Sequence, residues 1–117
     1  MNQKYYKIII IIILIFSFLI LAIKNSPWAN TVYSSKFNDK LFKQIRLGDD
    51  KERVRLLLGE PIYLAKGTYK SYWSYSRSKN TPYHMVRKCL IISERSGKVI
   101  QIDDEIVWGY IAYLWSY

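Results

Sequence analysis

Covalent staples and metal cages are what this sequence most conspicuously does without: it has one cysteine, Cys89, and one histidine, His84. A single cysteine closes no intrachain disulfide, so packing alone must hold the domain together. Cys89 reads as a small buried hydrophobe in a strand. His84 follows Pro82-Tyr83 with no acid or base partner at a motif spacing, which makes it a structural or surface residue. Asp103-Asp104-Glu105 lacks the spaced oxygen ligands and the turn glycine of a calcium loop. Glycine-rich phosphate loops, paired metal ligands and nucleophile elbows are missing as well. Together these absences argue against an enzyme and against a cofactor, and no small-molecule substrate is expected. Acidic residues are also scarce, 9 against 18 basic ones. Three of the bases, Lys4, Lys7 and Lys24, flank an apolar run, so residues 25–117 carry 18 − 3 = 15 bases against 9 acids, a net +6. Such a surface suits anionic lipid, nucleic acid, cell-wall polymer or an acidic protein, and charge alone does not choose among them.

What is present begins with residues 8–23, IIIIIILIFSFLILAI, interrupted only by Ser17. With Tyr5 and Tyr6 the run approaches the thickness of a bilayer core, about 28 Å against about 30 Å. Trp28 then falls at the far interface, and tyrosines at one end with a tryptophan at the other match an aromatic belt. A cleavable signal peptide would need small residues at a cleavage site, but Ala22 is followed by Ile23 and Lys24, and Ala29 has Pro27 two residues before it. The run therefore reads as an uncleaved signal-anchor, with a short basic head inside and the rest of the chain extracytoplasmic. At 117 residues the chain has room for one further domain. The expected division is a cytoplasmic stub and anchor over 1–24, a linker over 25–36, and a folded domain with an aromatic tail over 37–117.

Within that domain the apolar residues Phe37, Leu41, Phe42 and Ile45 share one helical face, which predicts a helix over 37–47. Gly48 ends it, Asp49 or Asp50 caps a second helix with Val54, Leu57 and Leu58 as its buried stripe, and Gly59 with Pro61 stops that one. The pattern then changes to period two. Tyr69, Trp73 and Tyr75 share one face of a strand over 69–76, and RSKNTP at 77–82 is loop chemistry. A second strand runs over 84–93, with Val86, Leu90 and Ile92 on one face. Ser96-Gly97 turns the chain into a third strand over 98–103, where Val99 faces opposite to Ile100 and Ile102. Three antiparallel strands cannot hide an apolar face alone, so the two short helices should cover it. The expected class is α+β: a transmembrane helix followed by two short helices packed on a three-stranded antiparallel sheet.

The stretch from Ile45 through Gly48, Val54, Leu58 and Gly59 to Pro61, the strand ending Trp73-Ser74-Tyr75, and the later Ser96-Gly97-Lys98-Val99-Ile100 hairpin resemble the SmpA/OmlA (BamE-like) domain family over about residues 37–103. The resemblance implies a helix–helix–sheet domain in the bacterial envelope, acting as a non-catalytic accessory to other envelope proteins. Family lipoproteins carry a cysteine just after the apolar segment. Here Lys24-Asn25-Ser26 stand in that place, so the implied tether is the helix itself.

Two sets of residues are candidate contacts. Bases interleaved with aromatics, Arg77, Lys79, Arg87 and Lys88 beside Tyr72, Tyr75 and Tyr83, can hold a partner by charge and stacking. Nucleic acid is not expected, since a translocated domain does not meet it and no nucleic-acid-binding motif is present. The tail over 108–117, WGYIAYLWSY, has five aromatics and no charged side chain. On a helix Trp108, Ile111, Ala112 and Trp115 share a face, so the tail suits packing on its own domain, entering the membrane interface, or docking a partner. The expected partner-binding residues are Tyr72, Tyr75, Arg87, Lys88, Trp108, Tyr110, Tyr113 and Trp115. The leading function is a membrane-anchored envelope module that binds another envelope protein. A secreted or anchored anionic-lipid or cell-wall-binding module and an inhibitor or immunity-type protein are the alternatives.

Overall fold

A run of isoleucines in water favours strands, because β-branched side chains are stiff and pack well on a pleated surface. In lipid the backbone must satisfy its own hydrogen bonds, and a helix does so within one segment. The computed structural model, which describes residues 2–24, 26–79 and 84–108, has one continuous helix there, α1 (Gln3–Lys24), long and apolar enough to cross a bilayer. Its residues are exposed throughout. The single polar interruption is satisfied internally, with Ser17 Oγ donating to the Ile13 carbonyl at 2.9 Å.

The segment expected to be a linker is built into the fold. Pro27, Asn30 and Ser34 are buried, and Thr31–Tyr33 forms a strand, β1. The helix expected over 37–47 contracts to a single turn, α2 (Asp39–Phe42), whose N-cap Asn38 accepts the Leu41 N–H. Ile45 nevertheless reaches the core from the turn that follows. The second helix, α3 (Lys51–Leu58), lies where Val54 and Leu58 place it, and Gly59 ends it with φ +73°. Asp50 is the N-cap residue but makes no side-chain capping bond. Asp49 instead accepts the Arg46 N–H and pairs with Arg53.

Five further strands follow: β2 (Tyr63–Lys66), β3 (Lys70–Ser74), β4 (Ser76–Ser78), β5 (Met85–Ser93) and β6 (Val99–Val107). The class is α+β as expected, but the sheet has four antiparallel strands in the order β2-β3-β5-β6 rather than three, and β1 pairs with β4 in a separate ribbon. Both additions are short. β2 is exposed along its whole length and so carries no buried alternation, and β4 occupies part of the stretch expected to be loop. Tyr75 is the switch between the two sheets. Its N–H donates to the Lys88 carbonyl of β5, while its carbonyl accepts the Ser34 N–H that leads out of β1.

The third expected strand is longer than 98–103 and its facing is more complex. Ile91 pairs with Gln101 but Ile92 pairs with Val99, so Ile100 is the extra residue of a bulge. The bulge lets Val99 be buried and Ile102 pack against the core, while Ile100 points to solvent. The core is Phe42, Ile45, Val54, Leu58, Trp73, Tyr75, Leu90, Ile92 and Val99, all lying between the short helices and one face of the sheet. Each large apolar side chain buried there contributes about 1.5–3 kcal/mol. Backbone bonds from Gly48, Lys51 and Val99 to the Val99, Gly97 and Asp49 carbonyls stitch the start of α3 to the β5–β6 hairpin.

Candidate partner-binding face

Side chains of a strand alternate between faces, so the registers decide which residues look away from the helices. Tyr63 pairs with Ser74 and Ala65 with Tyr72. Tyr72 pairs with Ile91, Ser74 with Cys89, Arg87 with Glu105, and Cys89 with Asp103. These residues form the outer face. Tyr63, Ala65, Gln101 and Glu105 are exposed there, and Tyr72, Arg87, Ile91 and Asp103 are half-buried.

Tyr72 organises its centre. Its hydroxyl donates to Cys89 Sγ at 2.8 Å, and Cys89 in turn contacts Ser74 Oγ at 3.3 Å. Cys89 is thus a buried strand residue on the outer side of the sheet, beneath Tyr72. Burial, followed by the hydrogen bond to Cys89, pushes the Tyr72 phenol up to about 12, so it is neutral and a hydrogen-bond donor at physiological pH. Arg87 Nη1 meets Glu105 Oε1 at 2.8 Å across the β5–β6 ladder. Towards the β2–β3 turn the face opens into a shallow, mainly apolar cleft of about 600 Å³, bounded by Ala65, Gly67, Tyr69, Tyr72 and Ile91. Gly67 is required at that turn, because a Cβ there would stand 2.7 Å from the Lys70 carbonyl oxygen. The arrangement offers flat aromatic area, a neutral donor and one exposed ion pair.

Two of the expected contact residues point the other way. Tyr75 is fully buried, and its hydroxyl donates to the Gly59 carbonyl at 3.0 Å, tying the junction of β3 and β4 to the end of α3. Lys88 is only 7% exposed. It lies on the core face, with Nζ 2.7 Å from Asp39 of α2, bonded also to Asp104 of β6 and 5.5 Å from the centre of the Phe42 ring. Burial opposes the Lys88 charge, but its hydrogen bonds to Asp104 and Asp39 outweigh that and raise its pKa. The bond from Lys88 leads the causes that hold the Asp39 carboxyl below its ordinary value. Tyr75 and Lys88 therefore serve the fold, and neither presents a surface to a partner. Tyr63, Ala65 and Ile91 were not among the residues expected on this face. The alternation of Tyr63 and Ala65 with Leu64 and Lys66, just before Gly67, was the signal for the first two.

A second feature lies at the pole nearest α1. Trp108 follows β6 directly and meets Trp28 edge to face, with ring centroids 5.7 Å apart, and His84 lies 6.4 Å from the same Trp108 ring. Asn30 Nδ2 donates to the His84 carbonyl at 2.6 Å, and Thr31 Oγ1 accepts the Val86 N–H at 2.8 Å. The chain leaving α1 is thereby joined to the start of β5 and the end of β6. Tyr83, Tyr110, Tyr113 and Trp115 lie outside the described residues. Among the described residues, no group of three or more His, Cys, Asp or Glu side chains is placed to hold a metal ion.

Fold and face together define a small α+β domain with the short helices on one side of an antiparallel sheet and, among the described residues, no helix covering the other. The chain belongs to the BamE family: the outer membrane protein assembly factor BamE domain matches residues 35–103, more than half of the sequence. No curated protein and no solved structure matches the chain.

Proposed function

We propose that this protein is a single-pass, membrane-anchored accessory of the bacterial envelope, with a cytoplasmic stub and anchor over residues 1–24 and an extracytoplasmic domain. It acts by binding another envelope protein rather than by catalysis. The observation that carries this reading is the open sheet face, where Tyr63, Ala65, Tyr72 and Ile91 form an apolar and aromatic surface edged by Arg87 and Glu105. Rigid aromatic area of this kind supplies contact at low entropic cost. Membership of a family named for an outer-membrane assembly factor supports both the accessory role and the envelope setting. Helix α1 supplies the tether.

The test is site-specific photo-crosslinking in intact cells. A photoreactive residue at Tyr63 or Ile91 should give the same protein adduct, and Ala65→Arg on the same face should abolish it. One at Leu56, which is 85% exposed on the outer side of α3, should give none. Adducts from Leu56 alone, or adducts from Tyr63 indifferent to Ala65→Arg, would sink the assignment.

A further inference from the structure

We infer that the pole built by Trp28 and Trp108 is seated in the headgroup layer of the bilayer, so that one end of the sheet rests on the lipid and the cleft beside the β2–β3 turn stands at the end away from it. The inference rests on the anchoring of α1 but not on any protein partner. The joint between helix and domain is tightly bonded. Ser26 donates to the Ile23 carbonyl of α1 through both its N–H and its hydroxyl, at 3.2 and 2.7 Å, and the Asn30 N–H donates to the Ser26 carbonyl at 3.1 Å. The Asn30 carbonyl accepts the Lys79 N–H just past β4, and its side chain holds the His84 carbonyl. Thr31 Oγ1 donates to the Pro27 carbonyl and accepts the Val86 N–H of β5. A path of hydrogen bonds therefore runs from the last turn of α1 into the sheet, and it fixes which end of the domain meets the lipid.

That end presents the chemistry of an interface. Trp28 and Trp108 meet edge to face, yet both remain about half exposed, 55% and 47%, and Ile106 is exposed beside them. Each indole joins a large apolar ring to a single N–H, which favours headgroup depth over either water or hydrocarbon. Trp28 follows α1 in the chain, but Trp108 reaches the same level from the end of β6, so the aromatic belt is completed by the fold and not by the anchor alone. Neither ring is charged, and the contact needs no anionic lipid. Both lie outside residues 35–103, which makes the seat an addition to the shared domain.

Strand register sets the height of the rest. Met85 opens β5 opposite Val107 of β6 at the seated end, and Ser93 closes β5 opposite Lys70 of β3. Those eight steps cover about 26 Å at the ordinary rise of a strand. The cleft lined by Gly67, Tyr69 and Ile91 is thus held at the end of the sheet farthest from the lipid.

The experiment uses the full chain in phosphatidylcholine vesicles whose acyl chains carry bromine either near the headgroup or near the bilayer centre. Subtracting the tryptophan emission of the double variant Trp28→Phe/Trp108→Phe from that of Trp28→Phe leaves the signal of Trp108, because Trp73 and Trp115 cancel. Most of that signal should be lost with shallow bromine and less with deep bromine. Tyr69→Trp, in the β2–β3 turn, should keep its added emission with either bromine and lose it to aqueous iodide. Quenching of Trp108 by iodide without quenching by bromine overturns the inference, since the pole is then in water. Protection of Trp108 from both also overturns it, because the pole is then covered by protein. Bromine quenching of Tyr69→Trp overturns it as well, the sheet then lying over on the lipid. A further variant, Phe18→Trp in α1, keeps the two readings apart, its added emission being isolated against the wild type. If deep bromine quenches that added emission while Trp108 escapes, the anchor stands and the seat alone fails. If deep bromine leaves it unquenched, the anchoring reading fails and takes the seat with it.

Discussion

The two faces of the four-stranded sheet are drawn from the same strands, yet they use tyrosine and basic residues in opposite ways. On the covered face Tyr75 is sealed against Gly59, and Lys88 is closed in by Asp39 and Asp104. On the open face, neighbouring residues of the same types, Tyr72 and Arg87, remain partly in solvent. Residue type therefore says little about role in this domain, and strand parity says a great deal. A tyrosine or a base is structural or available according to which side of the pleat it occupies.

The largest expected effect tests that contrast with one pair of variants. Tyr75→Ala should cost about 3–5 kcal/mol, as truncation of a fully buried aromatic does, whereas Tyr72→Ala should cost about 1 kcal/mol or less. Urea titration of the detergent-solubilised chain, followed by near-UV circular dichroism, measures both. Equal losses would erase the distinction between the faces.

A smaller effect probes what latches the helices over the covered face. Gly59→Ala forces a non-glycine residue to φ +73° and brings its Cβ to 2.9 Å from Lys36 Cβ. Strain of this kind costs about 1–3 kcal/mol. Adding Lys36→Gly should recover the part due to crowding and leave the part due to backbone conformation, read from the same urea midpoints.

The smallest effect concerns pH. The Asp39 carboxyl is held below its ordinary value, so the stability it contributes is present above that value and is lost as pH falls through the lowered one. Lys88→Met should therefore flatten the acid limb of the stability–pH curve. Arg87→Met should leave that limb unchanged, because the Arg87–Glu105 pair is solvent-exposed and screened. A flattened limb in both variants would mean that the two ion pairs do not differ.

Much of the fold is legible in the sequence where long-range chemistry is not needed. The apolar run gives α1, the Val54 and Leu58 stripe with Gly59 gives α3, and the alternation over 84–93 gives β5 to within a residue. What escapes has a common cause, which is information held in a distant partner. Strands β1 and β4 are three residues each and exist because they pair with one another. The Ile100 bulge is fixed by how β6 meets β5. The inward turn of Lys88 is stabilised by Asp39 and Asp104, neither of them near it in the chain. Of the candidate contacts in the sheet, Tyr72 and Arg87 reach the open face. The spacing that groups them with Tyr75 and Lys88 carries no sign of which strand neighbour each would meet.

The shortness of the leash also sets where this protein can search. Three peptide steps separate Lys24, the last residue of α1, from buried Pro27, roughly 11 Å even if fully stretched. With α1 in the bilayer as proposed, the domain sweeps almost no volume of its own and travels only as its helix diffuses. Encounters are then confined to a thin layer over the lipid, so any partner must live in the same membrane or come down to it.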